Sequence, residues 1–181
     1  MKNIVNNTAK LLVIATVVLT GCKKKVEDKA NEQELITTVE LTFSNPDTTF
    51  VVQYEDLDGA GGNAPIIAPI NLKANKNYNV NLKLLDKTKT PAENISDAVK
   101  AEGTDHQFFY VANNANLVVK TTDVDANNNP LGLTSTWATT NASTGTITIT
   151  LKHQPKIKLA SPGSIALGDT DVEAAFTVTI K

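Results

Sequence analysis

The chain of 181 residues contains no arginine, a single cysteine and only two histidines, and its formal net charge is −2. Without the guanidinium group and without a basic field, a nucleic-acid partner is excluded. A single cysteine excludes an internal disulfide and a cysteine-rich metal site. The sequence also contains no G-x-S-x-G, H-E-x-x-H or phosphate-binding glycine motif, so it predicts a protein that is not an enzyme.

The N-terminal segment has the composition of a signal peptide. Residues 1–10 are mostly polar and contain Lys2 and Lys10 but no acidic residue. Residues 11–19 form an unbroken apolar run that is shorter than the roughly 20 residues needed to span a bilayer. The run ends in the string LTGC, residues 19–22, which resembles the bacterial lipobox. This resemblance implies cleavage before Cys22 and lipidation of that cysteine.

Three regions are therefore expected: a signal peptide over 1–21, a lipidated cysteine with a polar tether over 22–34, and a single domain over 35–181. Two or more acyl chains anchor a protein stably to a membrane. Lys23 stands where an aspartate would indicate retention at the inner membrane, so we expect the outer membrane. The sequence leaves open which face of that membrane carries the domain.

The body of the chain is dominated by apolar residues that alternate with polar ones. This period of two predicts strands with one buried face. About eight such strands, separated by turn-forming residues, favour an antiparallel, immunoglobulin-like β-sandwich, with a closed barrel as the alternative. Trp137 falls within this pattern and is expected in the core. Thr90, Pro91 and Glu93 form a helix-start pattern, which predicts one short helix over 91–102.

Two loops carry alternating oxygen ligands of the kind that bind Ca²⁺. The first contains Asp56, Asp58 and Asn63 in a glycine-rich turn, and the second contains Asp123 and Asp125. The first loop lacks the glutamate that completes an EF-hand, because position 67 is isoleucine. Each loop therefore has two interpretations, a calcium site or a turn built from turn-forming residues.

The two histidines occupy the ends of predicted strands. His106 shares parity with inward residues at the start of one strand, and His153 does so at the end of another. If the intervening strands are antiparallel, both histidines lie at one end of the sandwich, together with Asp105, Asp123 and Asp125. Imidazole and carboxylate groups suit a divalent transition metal, and two imidazoles suit a haem iron. The alternative is that each histidine is a structural residue at the rim.

Several segments together resemble a family of small lipoproteins from Bacteroidota. They are the lipobox, EDLDGAGGNAP (55–65), DHQFF (105–109), DANNNPLGL (125–133) and TLKHQP (150–155). Many members of that family are called type 1 periplasmic binding fold superfamily proteins, a name that implies a two-lobed α/β fold, whereas the strand pattern here predicts a sandwich. Members typically have aspartate where this chain has alanine at position 60, which removes one possible Ca²⁺ ligand.

The resemblance also implies a partner, because small outer-membrane lipoproteins of this phylum often work beside TonB-dependent transporters. The leading hypothesis is thus a lipid-anchored binding protein for a metal ion or metal-bearing ligand. The alternative hypothesis is a structural or adhesive surface module whose aspartate-rich loops bind Ca²⁺ or no ligand.

Overall fold

Eight strands of five or more residues form the framework of the computed structural model, which describes residues 35–59 and 61–181. The elements are β1 (Thr38–Asn45), β2 (Thr48–Glu55), β3 (Ile66–Ile67), β4 (Ile70–Leu72), β5 (Asn77–Asp86), β6 (Glu93–Asn94), α1 (Ser96–Ala101), β7 (His106–Asn113), β8 (Leu117–Thr121), β9 (Thr134–Thr139), β10 (Ser143–His153) and β11 (Asp169–Ile180). The predicted signal peptide, Cys22 and the tether lie outside the described residues.

The strands form two sheets. The first has the order β3-β2-β1-β5-β9-β8, with β6 paired to β5, and the second has the order β4-β11-β10-β7. All pairs between strands are antiparallel except β4 with β11. The predicted sandwich is therefore confirmed, and within the described part of the chain neither sheet closes into a barrel.

The alternating pattern places one face of each sheet in the core. In β5 every second residue from Tyr78 to Leu84 is buried, and in β11 the same holds from Ala174 to Ile180. Trp137 on β9 is fully buried, as expected, and its ring meets the rings of Phe43 at 5.1 Å and Tyr110 at 6.1 Å in edge-to-face geometry. Such contacts add to the stabilisation that area burial alone supplies.

The predicted helix is present but shorter than expected. It begins at Ser96 and ends at Ala101, without a side-chain cap at its start. The segment before it is not helical, because Glu93 and Asn94 pair with β5 as the short strand β6. Pairing with a neighbouring strand therefore outweighs the local helix-start signal of Thr90, Pro91 and Glu93, and the prediction of a helix over 91–102 was wrong in its first half.

One end of the sandwich, which we call the helix end, contains the loops that carry the predicted site residues. In the first sheet, Thr38 at the start of β1 pairs with both Glu55 and Leu85. In the second sheet, His153 at the end of β10 pairs with His106 at the start of β7. Helix α1 connects these two sheets, so the 56–63, 123–130 and 154–168 loops are all at or next to this end. Residues 35–37, at the start of the described chain, also lie at the helix end.

Candidate functional site

The structure brings the two histidines together at the helix end. They are direct cross-strand partners, and their imidazole rings stack with centroids 4.8 Å apart and planes 23° apart. His106 is buried, with 7% of its surface exposed, and His153 is partly buried. A haem iron needs the two imidazoles on opposite faces of the porphyrin. Stacked rings at this separation leave no room for a porphyrin between them, so the pair as it stands does not fit haem.

Hydrogen bonding to the backbone places a proton on Nδ1 of His106. Its Nδ1 lies 3.1 Å from the carbonyl oxygen of Glu102, and because a carbonyl only accepts, Nδ1 is the donor. The other nitrogen, Nε2, lies 3.5 Å from Oδ2 of Asp171. Burial alone would lower the pKa of His106, but the Asp171 carboxylate and the Glu102 carbonyl outweigh it, so the pKa is raised above its usual value.

Asp171 is the carboxylate that approaches the histidines, and it was not among the predicted ligands. Between β10 and β11 the register shifts, since Leu151 pairs with Val172 while Lys152 pairs with Thr170. Asp171 is therefore the extra residue of a β-bulge. Its carboxylate is largely buried beside His106, and its Oδ1 has no hydrogen-bond partner among the described residues.

Two other predicted ligands, Asp123 and Asp105, form hydrogen bonds with backbone amides of nearby loops. Asp123 accepts hydrogen bonds from the amides of Gly132 and Leu133 at 2.8 and 3.0 Å. The backbone oxygen of Asp105 accepts from the amide of Gln154 at 2.6 Å. In the part of the chain that the structure describes, no three His, Cys, Asp or Glu side chains converge closely enough to hold a metal ion as they stand.

Asp125 forms a buried ion pair that the sequence did not indicate. Its Oδ1 accepts from the amides of Asn127 and Asn129, and its Oδ2 accepts from Nζ of Lys158 at 2.7 Å. The same ammonium donates to the carbonyls of Gly103 and His106, both at 2.8 Å. Both side chains are almost inaccessible to water, at 2% for Lys158 and 0% for Asp125.

This ion pair also sets the charge of Asp125. Burial opposes the charged form, but the hydrogen bond from Lys158 and those from the two loop amides outweigh it, and the pKa of Asp125 is lowered. Lys158 therefore ties the 154–168 loop to the 123–130 loop and to the backbone at the start of β7. The carboxylate of Asp125 is engaged in this structural role.

The first predicted calcium loop is closed by its own side chains. Oδ2 of Asp58 accepts from the amide and the side-chain nitrogen of Asn63 at 3.0 and 2.7 Å. These hydrogen bonds lower the pKa of Asp58. Oδ1 of Asp56 is buried without a partner in the described residues. Hydrogen bonds between residues of the loop itself therefore hold it in a closed conformation.

A cleft of about 410 Å³ lies at the opposite end, between the β1–β2 turn and the segment before β5. Its polar features are the exposed ion pair of Lys76 and Asp47 at 2.9 Å and the surrounding asparagines. It offers no buried polar group aimed at a ligand, whereas the helix end offers imidazoles and a carboxylate. The helix end is therefore the stronger candidate site.

Comparisons of the chain with protein-family models, with curated proteins and with solved structures find no match. None of the helices in the described residues is long and apolar enough to cross a membrane.

Proposed function

We propose that this chain is a non-enzymatic binding protein, anchored to the outer membrane by a lipid on Cys22, that binds a divalent transition metal ion at the helix end beside a TonB-dependent transporter. The observation that carries the metal assignment is the pairing of His106 Nε2 with Asp171 Oδ2 at 3.5 Å. Two ligands of a tetrahedral metal, each about 2.0–2.2 Å from it, lie about 3.3–3.6 Å apart.

The surroundings of His106 support this assignment. Metal-binding histidines usually donate their second N–H to a carbonyl or carboxylate, which orients the ring. The contact of His106 Nδ1 with the Glu102 carbonyl has this form and leaves Nε2 free to bind in the neutral ring. The unpartnered Oδ1 of Asp171 adds further acceptor capacity at the same place.

His153 is the second imidazole of the proposed site. Its ring stacks on His106, and a change of rotamer brings one of its nitrogens toward the ion. Two imidazoles and one carboxylate form a donor set that suits Zn²⁺, Fe²⁺, Ni²⁺ or Cu²⁺ rather than Ca²⁺. Water or a group of the partner completes the coordination. In this proposal Asp123 and Asp125 stabilise the loops around the site, and the backbone carbonyl of Asp105 accepts a hydrogen bond from the amide of Gln154.

Calorimetric titration of Zn²⁺, Ni²⁺ and Ca²⁺ into the chain from residue 22, with Cys22→Ser, tests the metal site. We expect one Zn²⁺ per chain and no Ca²⁺. Affinity should fall at least tenfold in His106→Ala, His153→Ala and Asp171→Asn, and stay unchanged in Asp47→Asn at the opposite end. Zn²⁺ affinity that is absent, or equal in His106→Ala and the parent chain, would contradict the assignment.

The lipid anchor has its own test. We expect the native chain to fractionate with the outer membrane and to carry acyl chains on Cys22 by mass spectrometry, whereas Cys22→Ser should be released in soluble form. Co-purification of a TonB-dependent transporter with the native chain, at one-to-one stoichiometry, would support the partner.

The alternative function is a structural or adhesive surface module. It is supported by the carboxylates of Asp58, Asp123 and Asp125, which are already satisfied by groups of their own loops or, for Asp125, also by Lys158. Under this alternative Zn²⁺ does not change the melting temperature, Ca²⁺ raises it only if the aspartate-rich loops bind that ion, and both histidine variants keep any partner binding.

A further inference from the structure

Exposed apolar side chains are concentrated at the helix end. Of the eleven large hydrophobic side chains exposed in the described residues, eight lie in segments at this end. They are Leu35, Leu57, Ile66, Ile67, Val124, Ile157, Leu159 and Ile165. Single exposed hydrophobic residues are common on protein surfaces, but a concentration at one end is typical of an interaction surface.

Three of these side chains are held together by the buried ion pair. Val124 precedes Asp125 in the chain, and Ile157 and Leu159 flank Lys158. The ammonium of Lys158 points inward to Asp125, while Val124, Ile157 and Leu159 are exposed at 56%, 46% and 50%. We call these three residues the apolar loop surface. A buried ion pair is costly to desolvate, and here it fixes two loops in a conformation that exposes hydrophobic groups.

The position of the chain entry indicates what this surface faces. The amide of Thr37 donates to the carbonyl of Leu85 at the helix end, so the described chain begins there. Twelve residues separate Cys22 from Leu35, and this segment spans at most about 45 Å when fully extended. The eight residues of β1 then lead away from the helix end for about 26 Å. With an anchor on Cys22, the helix end can meet the bilayer without extension of the tether, whereas the opposite end can meet it only if the tether runs back along the domain for about 26 Å of its roughly 45 Å.

We infer that the apolar loop surface docks on the lipid bilayer, inserting Val124, Ile157 and Leu159 at the headgroup level and so orienting the domain with its helix end toward the membrane. This inference rests on the Cys22 anchor of the proposed function and not on its metal site. The segments at this end carry more carboxylates than ammonium groups. Zwitterionic lipid is thus the expected surface, since anionic headgroups repel this charge.

The test is sedimentation of the chain from residue 22, with Cys22→Ser, with vesicles of phosphatidylcholine in EDTA. Without acyl chains, sedimentation reports the polypeptide alone, comparison with Ile157→Asp and Leu159→Asp separates the apolar loop surface from the tether with its lysines, and EDTA removes any contribution of the metal site. We expect measurable partitioning that weakens when phosphatidylglycerol is added. Ile157→Asp and Leu159→Asp should each reduce partitioning about fivefold to tenfold, which is the effect of withdrawing one half-exposed aliphatic side chain from the bilayer.

Two further variants separate docking from misfolding. Val118→Asp makes the same change at an exposed position of β8, away from the surface, and should leave partitioning unchanged. Leu159→Trp should increase partitioning severalfold and show a blue-shifted tryptophan emission on vesicles, since tryptophan favours the interface.

Absence of vesicle binding by the parent chain, or an equal loss in Val118→Asp, would overturn the inference. Concentration-dependent dimerisation that Ile157→Asp abolishes, without vesicle binding, would overturn it in favour of a second copy of the chain. Loss of Zn²⁺ binding with vesicle binding intact would refute only the proposed metal site.

Discussion

Replacement of Lys158 by methionine tests whether the buried ion pair organises the helix end. The change keeps the length of the side chain but removes an ammonium that donates to Asp125, Gly103 and His106 at 2.7–2.8 Å. It leaves Asp125 charged and without its counter-ion in a place that water does not reach.

The expected loss in the free energy of unfolding depends on the hydrogen bonds that Asp125 keeps. Removing one partner of a buried ion pair usually costs about 3–5 kcal/mol. Asp125 keeps two backbone amide donors, so the lower limit applies. A loss of about 3 kcal/mol in the free energy of unfolding corresponds to a decrease of about 6–12 °C in melting temperature for a domain of this size.

Urea denaturation followed by tryptophan fluorescence measures this loss. We expect Lys158→Met to shift the midpoint to lower urea with an unchanged slope. The double variant Lys158→Met with Asp125→Asn should recover about half of the lost free energy, because it removes the unpaired charge. A loss below about 1 kcal/mol in Lys158→Met, or a double variant that is less stable than Lys158→Met, would refute the reasoning.

Three other predictions concern the core, a turn and the pH dependence. Trp137→Ala removes a fully buried ring and should lower the free energy of unfolding by about 3–5 kcal/mol in urea titrations followed by circular dichroism, since no other tryptophan is present; a loss below about 1 kcal/mol would contradict the central position of the ring in the core. Gly132→Ala should cost about 1–3 kcal/mol, because Gly132 has φ +99° and an added Cβ would lie 2.7 Å from Cβ of Phe108; an unchanged melting temperature would contradict this geometry. The folded pKa of Asp125 is lowered, so its stabilisation is complete above about pH 4 and disappears as the pH falls through that lowered pKa. Asp125→Asn should therefore be less stable than the parent at pH 7 and approach it toward pH 2, and a difference that persists at pH 2 would contradict the sign.

Much of the fold could be predicted from the sequence, because burial on a sandwich follows a period of two. The eight long strands and the inward position of Trp137 come directly from that alternation. The short strands could not be predicted, since two or three residues carry no period. Their pairing depends on the partner rather than on their own sequence: β4 pairs with β11, more than one hundred residues away, and β6 pairs with the end of β5 just before it.

The candidate site was predictable only where strand parity holds. Parity and antiparallel order brought His106 and His153 to one end, and the structure stacks them. Strand parity gives the wrong orientation for Asp171. Val172 and Phe176 face inward, so alternation predicts that Asp171 faces outward. The β-bulge instead turns its carboxylate toward His106. Lys158 was missed because it lies in a loop without period, where no pattern indicates which side chains turn inward.

The place of β11 within the second sheet has a consequence for the order in which the chain folds. Strand β11 lies between β4 and β10, so until it forms β4 has no partner in the sheet and β10 is paired only with β7. Contact between Ile70 and Val178 closes a loop of more than one hundred residues, and such distant pairing slows folding. A nascent chain therefore exposes an unpaired edge of β10 until β11 has been synthesised. Truncation after about Thr170 removes β11, which lies inside the sheet and not at its edge, so we expect the truncated chain to aggregate.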